Sequence, residues 1–304
     1  MTDYTASLHS GLRRQLKDFM QPYTAADFMQ PYTAADFTAA DFMQPLNSYT
    51  FSLGKTMLLL IVLTLTAFCG HVLSSTMKRS IINGYDAPDR SFYVSLKMKE
   101  SWNSGRFSSC GGSIINSRYV LTAAHCLAGA RYVTVLVGDF TSSYSQKTEI
   151  GAADWFIHPR YNNELAVNDI GLIKLSRSVQ GRSISLCRTT YKNSGYDIAV
   201  CGLGSSSVNP ETSPEKLQET MLRETYSNCF WSSFHKQYQV CMESTGSYSG
   251  SCMGDSGGPL FPLSSSGRAK CLYGIVSFGT KTCSDDSVYT RVSAYIDWIE
   301  ANMD

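Results

Sequence analysis

From Ile81 onward, short apolar runs rich in Val, Ile, Tyr and Thr alternate with Gly, Ser and Asn. Ser91–Lys97, Ser113–Thr122, Tyr132–Val137, Ile170–Leu175 and Leu272–Phe278 are examples. Many short strands separated by turn residues predict an all-β sandwich or barrel. The other periodicity is at the end, where Val292, Tyr295, Ile296 and Ile299 recur at helical spacing and predict a helix. The 224 residues from 81 to 304 fit one all-β unit.

The stretch before Ile81 follows another pattern. A nonamer starting at Asp18 (DFMQPYTAA) repeats at Asp27, with clipped copies at Asp36 and Asp41. Units of nine residues are too short for a solenoid. Residues 1–56 therefore read as a disordered extension, or as upstream sequence translated from an early start codon. Residues 57–75 open with 13 apolar or small residues, Met57 to Cys69, and end near Ser74 and Ser75, the pattern of a signal peptide. The run is shorter than the ~20 residues that span a bilayer, although a signal-anchor is the alternative. Residues 76–80 would be a short propeptide.

Charge excludes some partners. Six basic and five acidic residues precede Ile81, of 26 and 25 in all, so the remainder is balanced and suggests no nucleic-acid partner. The ten cysteines include no C-x-x-C pair, which favours disulfides over zinc and points to an oxidising, extracellular compartment.

Three strings carry the chemistry. Ser256 lies in Gly254-Asp255-Ser256-Gly257-Gly258-Pro259, where glycines permit a tight bend and close substrate approach. The amides of Gly254 and Ser256 could face a developing oxyanion. His125, in Ala123-Ala124-His125-Cys126, is the residue type suited to activating a serine near neutral pH. Asp169, in Asp169-Ile170-Gly171-Leu172, would hold the imidazole tautomer if buried beside it.

In that order, the strings resemble the chymotrypsin/trypsin family of serine peptidases, and Ile81-Ile82-Asn83-Gly84 resembles its activated N-terminus. The resemblance covers residues 81–304. It implies two six-stranded antiparallel β-barrels, no cofactor or metal, and a monomer acting on protein or peptide substrates, subject to protein inhibitors. An activating protease would free the Ile81 amine to pair with Asp255. Family activation usually follows Arg or Lys, but Ser80 precedes Ile81 here. Either trimming follows a cut after Arg79, or the activator accepts serine, or the chain activates poorly.

Family pairing suggests Cys110–Cys126, Cys229–Cys241, Cys252–Cys283 and a shifted Cys201–Cys271. That leaves Cys187 free or joined to Cys69. The resemblance also places Gly250, Ser251, Ser277, Phe278, Gly279 and Ser287 around the specificity pocket. Gly250 at its floor favours aromatic or large apolar residues before the cut. Ser287 narrows the pocket, and Asp285 or Asp286 would instead confer a trypsin-like preference. A catalytically silent binding homologue is the rival reading. Asp139 and Glu149 bracket a loop with too few carboxylates for calcium.

Overall fold

The computed structural model describes residues 81–304 except 102–106, 191–196, 205–214, 226–228, 230, 232–233, 246–248, 281–282 and 284–285. Residues 1–80, with the nonamers, the apolar run and Ser80, lie outside the described residues, as does Asp285. No helix among the described residues is long and apolar enough to cross a membrane.

Six antiparallel strands close the first barrel. They are β2 (Tyr93–Lys99), β3 (Ser108–Ile114), β4 (Tyr119–Thr122), β5 (Tyr132–Gly138), β6 (Lys147–Ile157) and β7 (Gly171–Leu175), in the order β2-β3-β4-β7-β6-β5. Alternation drives closure: Val94, Leu96 and Met98 of β2 meet Val133, Val135 and Val137 of β5 inside, all buried. The second barrel comprises β8 (Ile198–Gly202), β9 (Gln218–Glu224), β10 (Gln239–Ser244), β11 (Pro259–Pro262), β12 (Gly274–Phe278) and β13 (Ser287–Arg291). Its order is β9-β10-β13-β12-β11-β8, closed by β8 on β9, with β1 (Tyr85–Asp86) added outside β9. Closure leaves neither barrel a long bare edge.

Two predicted elements change. The run Ser113–Thr122 is a hairpin, because the Asn116 side chain accepts the backbone N–H of Arg118 and Tyr119, each at 2.8 Å, and turns the chain between β3 and β4. The C-terminal periodicity divides into a 3₁₀ turn, Val292–Ala294, and a short helix α2, Ile296–Ala301, with non-helical Tyr295 between them. Its four apolar residues are all buried. A four-residue helix α1, Ala124–Leu127, is too short to leave a periodicity.

Disulfides join Cys110 to Cys126, Cys229 to Cys241 and Cys252 to Cys283. The fourth bridge corrects the expected pairing: Cys271 bonds Cys187, and Cys201 is a buried free thiol. Leu186 and Leu272 form a parallel bridge that brings the flanking Cys187 and Cys271 together, with Cα atoms 5.1 Å apart. Along β8, Ile198 and Val200 pack in the cluster that holds Cys187 and Cys271, whereas Cys201 packs in the other. Strand alternation thus turns Cys201 away from Cys271.

Candidate active site

His125 sits on α1, immediately after β4, and the neighbouring Cys126 is tied back to β3 through Cys110. Its backbone N–H donates to Asp169 Oδ1 at 2.9 Å, and its Nδ1 lies 2.8 Å from Asp169 Oδ2. Asp169 is 1% exposed and the His125 ring 27%, so the carboxylate is shielded while the imidazole reaches the surface. Ser277 Oγ donates to Asp169 Oδ2 at 2.6 Å, and Thr290 Oγ1 to the Asp169 carbonyl at 2.7 Å.

Burial and the ion pair act on the two groups in opposite directions. Burial alone would lower the His125 pKa, but the charge and hydrogen bond of Asp169 outweigh it and raise the pKa above its ordinary value. Burial pushes Asp169 up, yet His125, Ser277 and the His125 amide together hold it below the ordinary carboxylate value. An ionised Asp169 accepts from Nδ1–H, which leaves Nε2 as the basic nitrogen.

Ser256 lies between Gly254 (φ 92°) and Gly257 (φ 76°). Gly257 is required twice over, since a Cβ there would sit 2.1 Å from Thr122 Oγ1 as well as demanding the left-handed backbone. The Ser256 carbonyl accepts from Gly111 N on β3 at 2.7 Å, so the serine loop of the second barrel docks beside the disulfide that anchors α1. Gly257 N donates to the Val276 carbonyl at 2.9 Å. Among the described residues, neither the Gly254 amide nor the Ser256 amide donates a hydrogen bond, and the Ser256 hydroxyl makes none. Catalytic bonds of this kind commonly tighten only around substrate.

Asp255 is fully buried. Among the described residues, its carboxylate accepts from backbone donors alone, Cys252 N and Gly204 N, both at 2.8 Å. Burial pushes it up to about 7, and those two bonds offset only part of the shift. Ile81 is also fully buried and packs in one cluster with Tyr289, whose phenol feels the Asp255 charge. Ile82 N donates to the Gly250 carbonyl at 3.1 Å, which seats the segment beside Gly250.

Ser287 is buried between two glycines. A Cβ on Gly279 would meet Ser287 Oγ at 3.1 Å, and one on Gly250 would meet it at 4.0 Å. Ser251 Oγ and Tyr289 OH are 3.0 Å apart. Phe278 stacks edge-on against Trp231 at 5.1 Å, and Trp231 Nε1 donates to the Asp286 carbonyl at 3.3 Å. Trp231, Thr290 and the Ser277 bond to Asp169 are not expected from sequence, because no local string marks partners so far apart along the chain.

Asp139 accepts from Thr141 and Ser145, and Glu149 pairs with Lys97 at 3.0 Å. Among the described residues, the group of ligand-type side chains close enough for a metal is Cys110, His125 and Cys126. Its sulfurs are bonded to each other and Nδ1 is committed to Asp169, which leaves no donor set for an ion.

Residues 81–299 match the family model for Trypsin. Chymotrypsin-like elastase family member 3B of Homo sapiens is 33% identical over 247 residues, 75% of this chain and 90% of that protein. Chymotrypsin of Phaedon cochleariae is 33% identical over 239 residues, 73% of this chain and 82% of that one. Proproteinase E of Bos taurus is 32% identical over 240 residues, 72% and 93%. A solved structure described as "Structure of GrC" aligns with a TM-score of 0.62 at 28% identity, covering 73% of this chain and 99% of that one. Fold and site thus define a chymotrypsin-like peptidase. The chain belongs to the trypsin family and is a serine endopeptidase.

Proposed function

We propose that the chain is a secreted zymogen whose mature form begins at Ile81 and cuts peptide bonds with Ser256, His125 and Asp169. Residues 57–75 would direct export, and residues 76–80 would leave with activation. Four disulfides support an oxidising destination. The enzyme acts as a monomer on protein or peptide substrates and is open to protein inhibitors.

His125 Nε2 takes the Ser256 proton as Oγ attacks the scissile carbonyl, and the Gly254 and Ser256 amides hold the oxyanion. His125 then protonates the leaving amine, and water hydrolyses the acyl-enzyme by the same route. Asp169 stays ionised and steadies the imidazolium. The observation that carries this reading is the 2.8 Å contact from His125 Nδ1 to a carboxylate shielded from water. Replacing Ser256 by Ala is the direct test. Peptide hydrolysis by folded protein beginning at Ile81 should fall to background, and retained activity would place the nucleophile elsewhere.

For specificity, Gly250 leaves the floor of the pocket uncharged and Gly279 leaves its mouth open, which favours aromatic or large apolar residues. Ser287, beside both glycines, trims the space available to the widest rings. Ser287→Gly is therefore expected to raise the preference for Phe and Tyr over Leu by roughly tenfold, the scale of a small change in pocket volume. A cleavage profile of both proteins checks this. Strong cleavage after Lys or Arg in the unsubstituted enzyme would favour the trypsin-like alternative through Asp285 or Asp286.

A further inference from the structure

The loop that delivers Asp169 is strained just before it. Ala166 has φ 47° and Asn168 has φ 57°. Asparagine tolerates the left-handed region because its side chain bonds locally, and Asn168 Nδ2 indeed donates to the Arg160 carbonyl at 2.7 Å. Alanine has no such compensation. A backbone in this state persists only where its surroundings hold it.

Bonds inside the loop do part of this. Asn162 and Val167 exchange backbone hydrogen bonds at 3.0 and 3.2 Å. The Ala166 carbonyl lies outside that exchange and is taken by the second barrel, where Gln239 Nε2 donates to it at 3.0 Å. Gln239 is 1% exposed, and its Oε1 accepts the His235 N–H at 2.7 Å. That second bond fixes which way the amide faces, so the NH₂ group must point at Ala166. Gln239 on β10 also lies directly opposite Thr290 on β13, whose hydroxyl donates to the Asp169 carbonyl. One cross-strand pair thus grips two carbonyls of the same loop, three residues apart, and the second belongs to the residue that orients His125.

We propose that Gln239 is a positioning residue for catalysis: by holding the Ala166–Asn168 turn in its strained form, it fixes where Asp169 meets the His125 ring. This rests on the triad assignment above. Gln239 touches no reacting atom, so its effect passes through Asp169. Misplacement of a catalytic group by about 1 Å costs on the order of a hundredfold in rate, and a loosened loop shifts it by less.

The test uses protein beginning at Ile81, with kcat expressed per site titrated by a fluorophosphonate. Gln239→Met keeps the side-chain length and removes the donor. It is expected to lower kcat roughly tenfold with KM within twofold, and to move the acid limb of kcat/KM to lower pH as Asp169 supports the imidazolium less well. A purely structural role would reduce the titratable fraction or the Tm and leave both readouts in place. Ala166→Gly, whose backbone adopts this φ freely, is expected to restore most of kcat in the Gln239→Met background. Should Gln239→Met not fold, Gln239→Glu keeps the acceptor for His235 and loses the donor, and its kcat decides. A kcat per titrated site within twofold of the unsubstituted enzyme overturns the proposal while leaving the triad reading intact. Failure of the unsubstituted enzyme to label at Ser256 overturns both.

Discussion

Asp169→Asn is expected to lower kcat by about ten-thousandfold with little change in KM, the magnitude that belongs to the family's reference triad. The reason lies in the hydrogen-bond inventory. Asp169 accepts from the His125 amide, from Nδ1 and from Ser277, and donates to none of them. Asparagine must present an NH₂ group to one of these donors. Where that group meets His125, the proton moves to Nε2 and the ring can no longer take one from Ser256. The pH profile gives a second readout. The proposed mechanism needs neutral His125, whose pKa Asp169 holds above the ordinary value of about 6.5. Activity should therefore be lost as pH falls through a midpoint above that value, and in the variant the midpoint should lie lower. Steady-state kinetics across pH 5 to 9 would check both, and an unchanged kcat would mean that Asp169 is only structural.

Activation is the second large effect. Protein beginning at Ile81 is expected to be at least a hundredfold more active than the same chain still joined to Ser80, because leaving one member of a buried ion pair unpartnered costs about 3–5 kcal/mol. A chain beginning at Ser80, the product of a cut after Arg79, should resemble the uncleaved form. Asp255 shows why. With backbone donors alone its pKa is about 7, well above the ordinary carboxylate value. A raised folded-state pKa means that the folded chain binds the proton more tightly than the unfolded chain. The associated stability is present below about pH 4 and is lost as pH rises to about 7, on the order of 4 kcal/mol in all. The Ile81 amine, delivered as a cation, would reverse that trend. Urea denaturation at pH 4.5 and pH 7.5 should show a loss with rising pH in the uncleaved chain that is smaller in the Ile81 form and absent in uncleaved Asp255→Asn. The same pH dependence in all three proteins would remove Asp255 from the account.

The strings around His125, Asp169 and Ser256 are legible in the sequence because each has a local reason for its residues, such as the Gly257 bend or the cysteine beside the histidine. Barrel strands such as β5, which alternates, and β7, a short apolar run, are legible for the same reason, since both patterns are properties of neighbours. What eludes the sequence depends on distant partners. Ser277, Thr290 and Gln239 reach the Asp169 loop across 108, 121 and 73 residues, and no pattern within β10, β12 or β13 announces it. The Cys187–Cys271 bridge is hidden for a similar reason, because it depends on which face of β8 Cys201 occupies. The Asn116 turn within Ser113–Thr122 is a local signal that the apolar residues around it obscure.

The proposed mechanism turns on one alcohol, and its reactivity is directly measurable. Folded protein beginning at Ile81, treated with a fluorophosphonate and mapped by peptide mass, should carry one label per chain on Ser256, with none after His125→Ala. Folded protein that stays unlabelled, or that labels equally well without the imidazole, would contradict the account and leave a binding protein built on a peptidase fold.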